Sequence, residues 1–129
     1  MKKHSKHIVV SEDDLDDNQH VNNVRYLHWV QDIAKEHWEL AASEKDKKEV
    51  VWFAMDHHIA YKNPAFLGEQ LVINTYVEKM RGAISTRVVE ITNPEKELLI
   101  CKTVTNWCMM NKETQKPARM SNEMIALFV

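Results

Sequence analysis

The sequence predicts an α+β fold, with one long central helix wrapped by a curled antiparallel sheet of about five strands. Three observations carry this. A single amphipathic stretch starts at Asn22 or Asn23 and runs to about Ser43, long enough for several helical turns. Later segments alternate apolar and polar residues over about ten positions or more, the pattern of half-buried strands. Their connections are short, so neighbouring strands run antiparallel. Strands of that length must twist strongly, and one long helix beside them is buried most economically if the sheet closes around it.

Taken in order, His7-Ile8-Val9-Val10 marks a short first strand over residues 6–11. Asn is a good N-cap for the helix that follows, whose apolar residues Val24, Leu27, Val30, Ala34, Trp38 and Ala41 recur near a 3.6 period. Tyr26, Trp29 and Ile33 widen the stripe beyond one face, which predicts a wrapped helix. Arg25, His28, Asp32, Lys35 and Glu39 mark the side left open. The charged run 44–49 is expected to be a solvated connection. Residues 50–62 place Val51, Phe53, Met55, His57, Ile59 and Tyr61 on one face, and 70–80 do the same with Leu71, Ile73, Thr75 and Val77. In 83–92 the alternating set is Ile84, Thr86 and Val88. In 98–111 it is Leu98, Ile100, Lys102, Val104, Asn106, Cys108 and Met110. Gly68, Gly82, Pro64, Pro94 and Pro117 all fall in the gaps.

The 129 residues suit one domain, residues 1–129, with 44% hydrophobic and 28% charged residues as in ordinary globular chains. A net charge of −2 gives no basic stripe for nucleic acid. No apolar run approaches the roughly 18 residues of a membrane span. The basic start lacks the apolar core of a signal peptide, so a cytoplasmic location is expected. Cys101 and Cys108 lie seven apart in one strand, hence on opposite faces and about 20 Å apart, and are expected to be ordinary reduced thiols.

The chemistry concentrates in Leu15-Asp16-Asp17-Asn18-Gln19-His20-Val21-Asn22-Asn23-Val24-Arg25-Tyr26. A carboxylate or imidazole there can attack or move a proton, and a helix start offers unpaired N–H groups to a developing negative charge. Other motifs are weaker. Asp14-Leu15-Asp16-Asp17-Asn18 begins like a calcium loop but has Gln19 where glycine is needed and Arg25 where glutamate is needed. Asp56-His57-His58 cannot converge on a strand, because His57 faces away from the other two. His57 sits among apolar neighbours and reads as an interior or pocket-lining histidine. The seven histidines show no zinc spacing, so no metal is expected.

The pattern Asp16-x-Asn18-Gln19-His20-Val21-Asn22-Asn23-x-x-Tyr26, followed by Ile59-x-Tyr61-x-x-Pro64 and Gly68-Glu69, resembles the hotdog-fold thioesterases. These include the 4-hydroxybenzoyl-CoA thioesterase-like proteins and the acyl-ACP thioesterases. The resemblance spans the chain from the first strand to Pro117. It implies a hydrolase acting on acyl-CoA or acyl-ACP without a cofactor, with subunits pairing their sheets into a dimer or a dimer of dimers. Asp16 stands where this family places a catalytic carboxylate, as nucleophile or as base for water. Asn18 and His20 stand where the plant acyl-ACP enzymes carry catalytic Asn and His. Asn23 stands at the helix start whose backbone N–H polarises the thioester carbonyl. Asn22, Tyr26 and His57 are candidates for lining the substrate site, Asn22 first as a cap and Tyr26 first as a packing residue whose hydroxyl finds a loop partner. Two departures matter. Gln19 replaces the glycine of many relatives, and Met80-Arg81 precede Gly82 where the plant enzymes carry Glu-Cys, leaving only Asp- or water-based hydrolysis. Lys62, Lys79 and Arg81 are possible contacts for coenzyme A phosphates. A non-catalytic acyl-CoA-binding protein of the same fold is the alternative, since fold alone does not fix chemistry.

Overall fold

In the computed structural model, the described residues, 2–129, form one antiparallel sheet of five strands. The strands are β1 (Lys3–Val9), β2 (Val50–Tyr61), β3 (Gln70–Arg81), β4 (Ile84–Asn93) and β5 (Leu98–Asn111). They lie side by side in the order β1-β3-β4-β5-β2, so β1 and β2 are the edges. The central helix α1 (Asn23–Ala41) packs on the sheet, followed by a short α2 (Glu44–Glu49), and α3 (Asn122–Phe128) ends the chain. This is the α+β hotdog architecture. No helix among the described residues is long and apolar enough to cross a membrane.

Local chemistry sets the helix boundaries. The Val24 N–H donates to the Asn22 side chain at 2.9 Å, which satisfies a first-turn amide. At the other end Ser43 caps α2 by accepting from the Asp46 N–H at 3.1 Å, so the charged run 44–49 is an exposed helical turn rather than an irregular link. The face that α1 buries is Tyr26, Val30, Ile33, Ala34 and His37, rotated from the expected stripe. Val24 and Leu40 stay 55% and 69% exposed, while the polar strip His28, Asp32, Lys35 and Glu39 is open as expected.

Irregularities in the sheet overturn several expected faces. Register shifts leave Met55 unpaired between Ala54 and Asp56, Glu78 between Val77 and Lys79, and Ile100 between Leu99 and Cys101. An extra residue in one strand flips every later side chain to the other face. Phe53 and Met55 are therefore 62% and 54% exposed, while Val50 and Trp52 join the core before the bulge and Ile59 joins it after. In β5, Leu98 and Ile100 face the core as expected, but beyond the bulge the buried positions are Cys101, Thr103, Thr105 and Met109, with Cys108 the one expected residue there that is buried too. In β4 the cluster around α1 takes Val89 and Ile91, while Thr86 and Val88 are buried as well and Ile84 is only half-buried.

Two apolar clusters result. One surrounds the N-terminal half of α1, with Tyr26, Val30 and Ile33 against Leu71, Ile73, Ile91 and Cys101. The other lies at its C-terminal half, where Val77 and Met109 meet Met120, Met124 and Phe128. Each fully buried aliphatic side chain contributes about 1.5–3 kcal/mol, and Ile33, Leu71 and Ile91 are all fully buried. Cys101 and Cys108 are buried free thiols.

Candidate active site

The loop ahead of α1 is a narrow antiparallel tip. Asp14 is its buried anchor, accepting from the Ser11 N–H at 2.8 Å and hydroxyl at 3.2 Å. Its other oxygen takes the Arg25 Nε at 3.1 Å, tying the start of the loop to the first turn of the helix. The Asn22 N–H donates to the Asp14 carbonyl at 2.8 Å, Leu15 bridges Val21, and the Asp16 N–H donates to the His20 carbonyl at 2.8 Å. Gln19 closes the tip with φ of 65°, a left-handed conformation that glycine adopts freely.

The loop leans on residues 65–69. The Val21 N–H donates to the Ala65 carbonyl at 2.9 Å, and His20 bridges Phe66 with the two rings edge to face at 5.0 Å. Glu69 fixes that support by accepting from the Phe66 N–H at 2.6 Å, the Asn93 amide at 3.0 Å and the Lys96 ammonium at 2.6 Å. Burial works against its charge, but Lys96 and the Phe66 amide hold the carboxyl below its ordinary range.

Asp16 is partly exposed, and its two oxygens differ. Oδ1 accepts from the Asn18 N–H at 2.9 Å and the His20 N–H at 3.2 Å. Oδ2 makes no hydrogen bond among the described residues. Loop amides thus fix the orientation of a carboxylate that keeps one oxygen open. In α1 the Val24 N–H is taken by the Asn22 cap and the Arg25 N–H by the Asn22 carbonyl at 2.8 Å, whereas the Asn23 N–H has no partner among the described residues. A partly exposed carboxylate and an open helix-start amide thus stand on two arms of one loop, the groups that general-base or nucleophilic chemistry and oxyanion stabilisation use.

The remaining expected residues separate. Asn18 and His20 serve Asp16 through their backbone amides. The Asn18 side chain is exposed, and the His20 imidazole packs on Phe66. Tyr26 is 3% exposed, 5.9 Å from the Tyr61 ring and 5.6 Å from Trp29. Its hydroxyl makes no well-formed hydrogen bond among the described residues, though the backbone amide of Ala65 in the neighbouring loop lies close enough to act on it. Burial pushes this hydroxyl up to about 12. His57 stands apart on β2, its Nδ1 2.8 Å from the Thr105 hydroxyl and its ring edge-on to Trp107. No hydrogen bond joins it to the loop. Lys62, Lys79 and Arg81 are all exposed.

Sequence reasoning missed the anchors Asp14, Arg25 and Glu69, although Ser11-Glu12-Asp13-Asp14 carries a cap-like spacing that signals the first. It also missed Arg87 and His37, bonded to each other in the interior at 2.9 Å. Among the described residues no group of three or more His, Cys, Asp or Glu is placed to hold a metal ion.

Comparison with known proteins follows the same direction. The model of the acyl-ACP thioesterase N-terminal domain family matches residues 1–128. Over 75 residues the chain is 36% identical to YneP of Bacillus subtilis, named for acyl-CoA thioesterase activity; the match covers 58% of this chain and about half, 54%, of that relative. Over 114 residues, 85% of each chain, it is 26% identical to FadM, a long-chain acyl-CoA thioesterase of Escherichia coli. The protein SAV2348 of Staphylococcus aureus, solved in complex with CoA, shares the fold at a TM-score of 0.86 and 15% identity, over 98% of this chain and 81% of that one.

Proposed function

The chain belongs to the acyl-ACP thioesterase family, and on that premise we propose that it is a thioester hydrolase converting acyl-CoA to a free acid and a thiol. Coenzyme A is favoured over a protein carrier because YneP and FadM are both named for acyl-CoA. One observation carries the catalytic reading: loop amides pin Asp16 by one oxygen, while its other oxygen and the Asn23 N–H are both left open.

In this reading the carbonyl oxygen of the thioester points at the Asn23 N–H, which stabilises the oxyanion; one such donor is worth on the order of 3 kcal/mol at the transition state. The open oxygen of Asp16 either takes a proton from an attacking water or attacks the carbonyl itself, giving an anhydride that water then opens. Both routes form a C–O bond, break the C–S bond and deliver a proton to the departing thiolate. Asn18 and His20 hold Asp16 in place, and Asn22 keeps the helix start rigid. Tyr26 backs the loop, and His57 lines the acyl side.

The working unit in this proposal is a dimer, or a dimer of dimers, formed through β2. That strand has an unpaired outer edge and exposes Phe53, Met55 and Tyr61. The opposite edge, β1, carries Lys3 and Lys6, which discourage strand pairing.

A thiol-release assay over acyl-CoA chain lengths, aromatic acyl-CoA and acyl-ACP tests the proposal. Turnover of at least one acyl-CoA, faster than its ACP counterpart, is expected. Binding without thiol release from any of them would overturn it in favour of a non-catalytic acyl-CoA-binding protein.

A further inference from the structure

A cavity of about 550 Å³ lies beside the C-terminal half of α1, away from the Asp16 loop. This is within the roughly 300–1,000 Å³ of ordinary ligand pockets. Its wall is chiefly aromatic and aliphatic, including Trp38, Trp52, Trp107, Met80 and Phe128. Into this apolar wall the fold places a guanidinium. Arg87 is 6% exposed and lines the cavity. Arginine is almost never buried to this degree without an acidic partner, because taking the charge out of water costs several kcal/mol.

Arg87 has no such partner among the described residues. Its Nη1 donates to His37 Nδ1 at 2.9 Å and to the Thr75 hydroxyl at 3.1 Å, both neutral acceptors. Nε and Nη2 have no protein acceptor among the described residues. The carboxylate on the cavity rim, Glu39, is engaged by Lys47, 4.0 Å away, and makes no ion pair with Arg87. A second observation is independent of the first. The Trp52 Nε1–H, on the wall of the same cavity, is buried and also without an acceptor among the described residues. Unclaimed donors on two strands, an uncompensated positive charge and a largely apolar lining describe the complement of an amphipathic anion. Of the other cations in the lining, Lys47 is engaged by Glu44 and Glu39 and Lys35 is exposed to solvent, so the buried guanidinium alone balances a single charge, and its flat fork matches a carboxylate.

We propose that this cavity is a binding site for a free aliphatic carboxylic acid, its carboxylate on the open donors of Arg87 and its chain against Trp38, Met80 and Phe128. Nothing in it depends on Asp16, so the site stands or falls separately from the hydrolytic reading.

The test uses the full chain and the tryptophans already in the wall. Sodium octanoate and 1-octanol share a chain and differ in charge. Each is titrated at pH 7.5 into wild type, Arg87→Met and Trp52→Phe, with binding followed by tryptophan fluorescence and confirmed by calorimetry. Octanoate is expected to bind wild type about tenfold or more tighter than octanol, a preference of the size charge-assisted hydrogen bonds give. Arg87→Met is expected to abolish that preference, and Trp52→Phe to weaken octanoate severalfold with the fold unchanged by circular dichroism. Equal affinity of wild type for the two probes would overturn the proposal even if Arg87→Met failed to fold. So would an Arg87→Met protein that folds and keeps the preference.

Discussion

The two ends of α1 are built in opposite ways. At the N-terminus, ten consecutive residues, 14–23, supply the candidate catalytic carboxylate, the helix cap and the open amide, and most of their hydrogen bonds go to residues only a few positions away in the chain. At the C-terminal half, the cavity draws its wall from all three helices and four strands, β2 to β5, and its buried arginine is paired with no acid among the described residues. The first end positions groups by local hydrogen bonding, which tolerates partial exposure to water. The second depends on long-range packing, which brings the Trp52 N–H and the outer nitrogens of Arg87 to one cavity with no protein acceptor among the described residues. A proton-transfer site can be written into one loop, but a shaped, apolar volume cannot.

Substitutions at each end should therefore fail differently. The largest effect is expected from Asp16→Asn, which keeps the side-chain oxygen that accepts from Asn18 and His20 but removes the nucleophile or base. Its kcat for acyl-CoA should fall by about a thousandfold or more, with a melting temperature near that of wild type. A drop of less than tenfold in thiol release would mean that the loop does not carry the chemistry.

At the other end the consequence is one of stability and pH. Burial, with Arg87 beside it, lowers the His37 pKa to about 4. An unfolded histidine titrates near 6.5. Between those values the unfolded chain binds more protons, so this contribution is intact above about pH 6.5 and lost as pH falls toward 4, by on the order of 2 kcal/mol. Urea unfolding from pH 7 to 4.5 should show that decline in wild type and a flatter profile in His37→Gln. Parallel profiles would mean that His37 is not held neutral by its surroundings.

The smallest effect returns to the loop. Gln19 sits at φ of 65°, where a Cβ costs about 1–2 kcal/mol that glycine avoids, against about 0.5–1 kcal/mol of extra chain entropy lost by glycine. Gln19→Gly should raise stability by roughly 0.5 kcal/mol or leave it unchanged, measured by urea unfolding with turnover intact. A loss above 1 kcal/mol would show a Gln19 side-chain contact that holds the tip.

The same contrast explains what could be read in the sequence. The helix start, the cap at Asn22, the glycine turns and the long strands were legible because each is set by residues close in the chain. The Asp16 loop was legible for the same reason. The inward face of most of β5 was not, because one extra residue at Ile100 resets its pairing and no composition signal marks a bulge, and β4, which has no bulge, carries apolar residues on both faces, so alternation alone did not say which one turns toward α1. Arg87 was hidden by that ambiguity. Alternation from Ile84 assigns it to the outside, whereas its pairing with Val77 and Thr105 turns it toward α1. Tyr26 was recognised as a packing residue, but the lack of a well-formed hydrogen bond at its hydroxyl depends on how the surrounding residues close on it.

The most direct measurement is a crystal structure of the Asp16→Asn protein with an unhydrolysed acyl-CoA. The expected result is a thioester carbonyl oxygen about 2.7–3.1 Å from the Asn23 N–H, with its carbon beside the side chain at position 16. A thioester bound away from that helix start, with its carbonyl on Arg87 or on no amide of α1, would contradict the account.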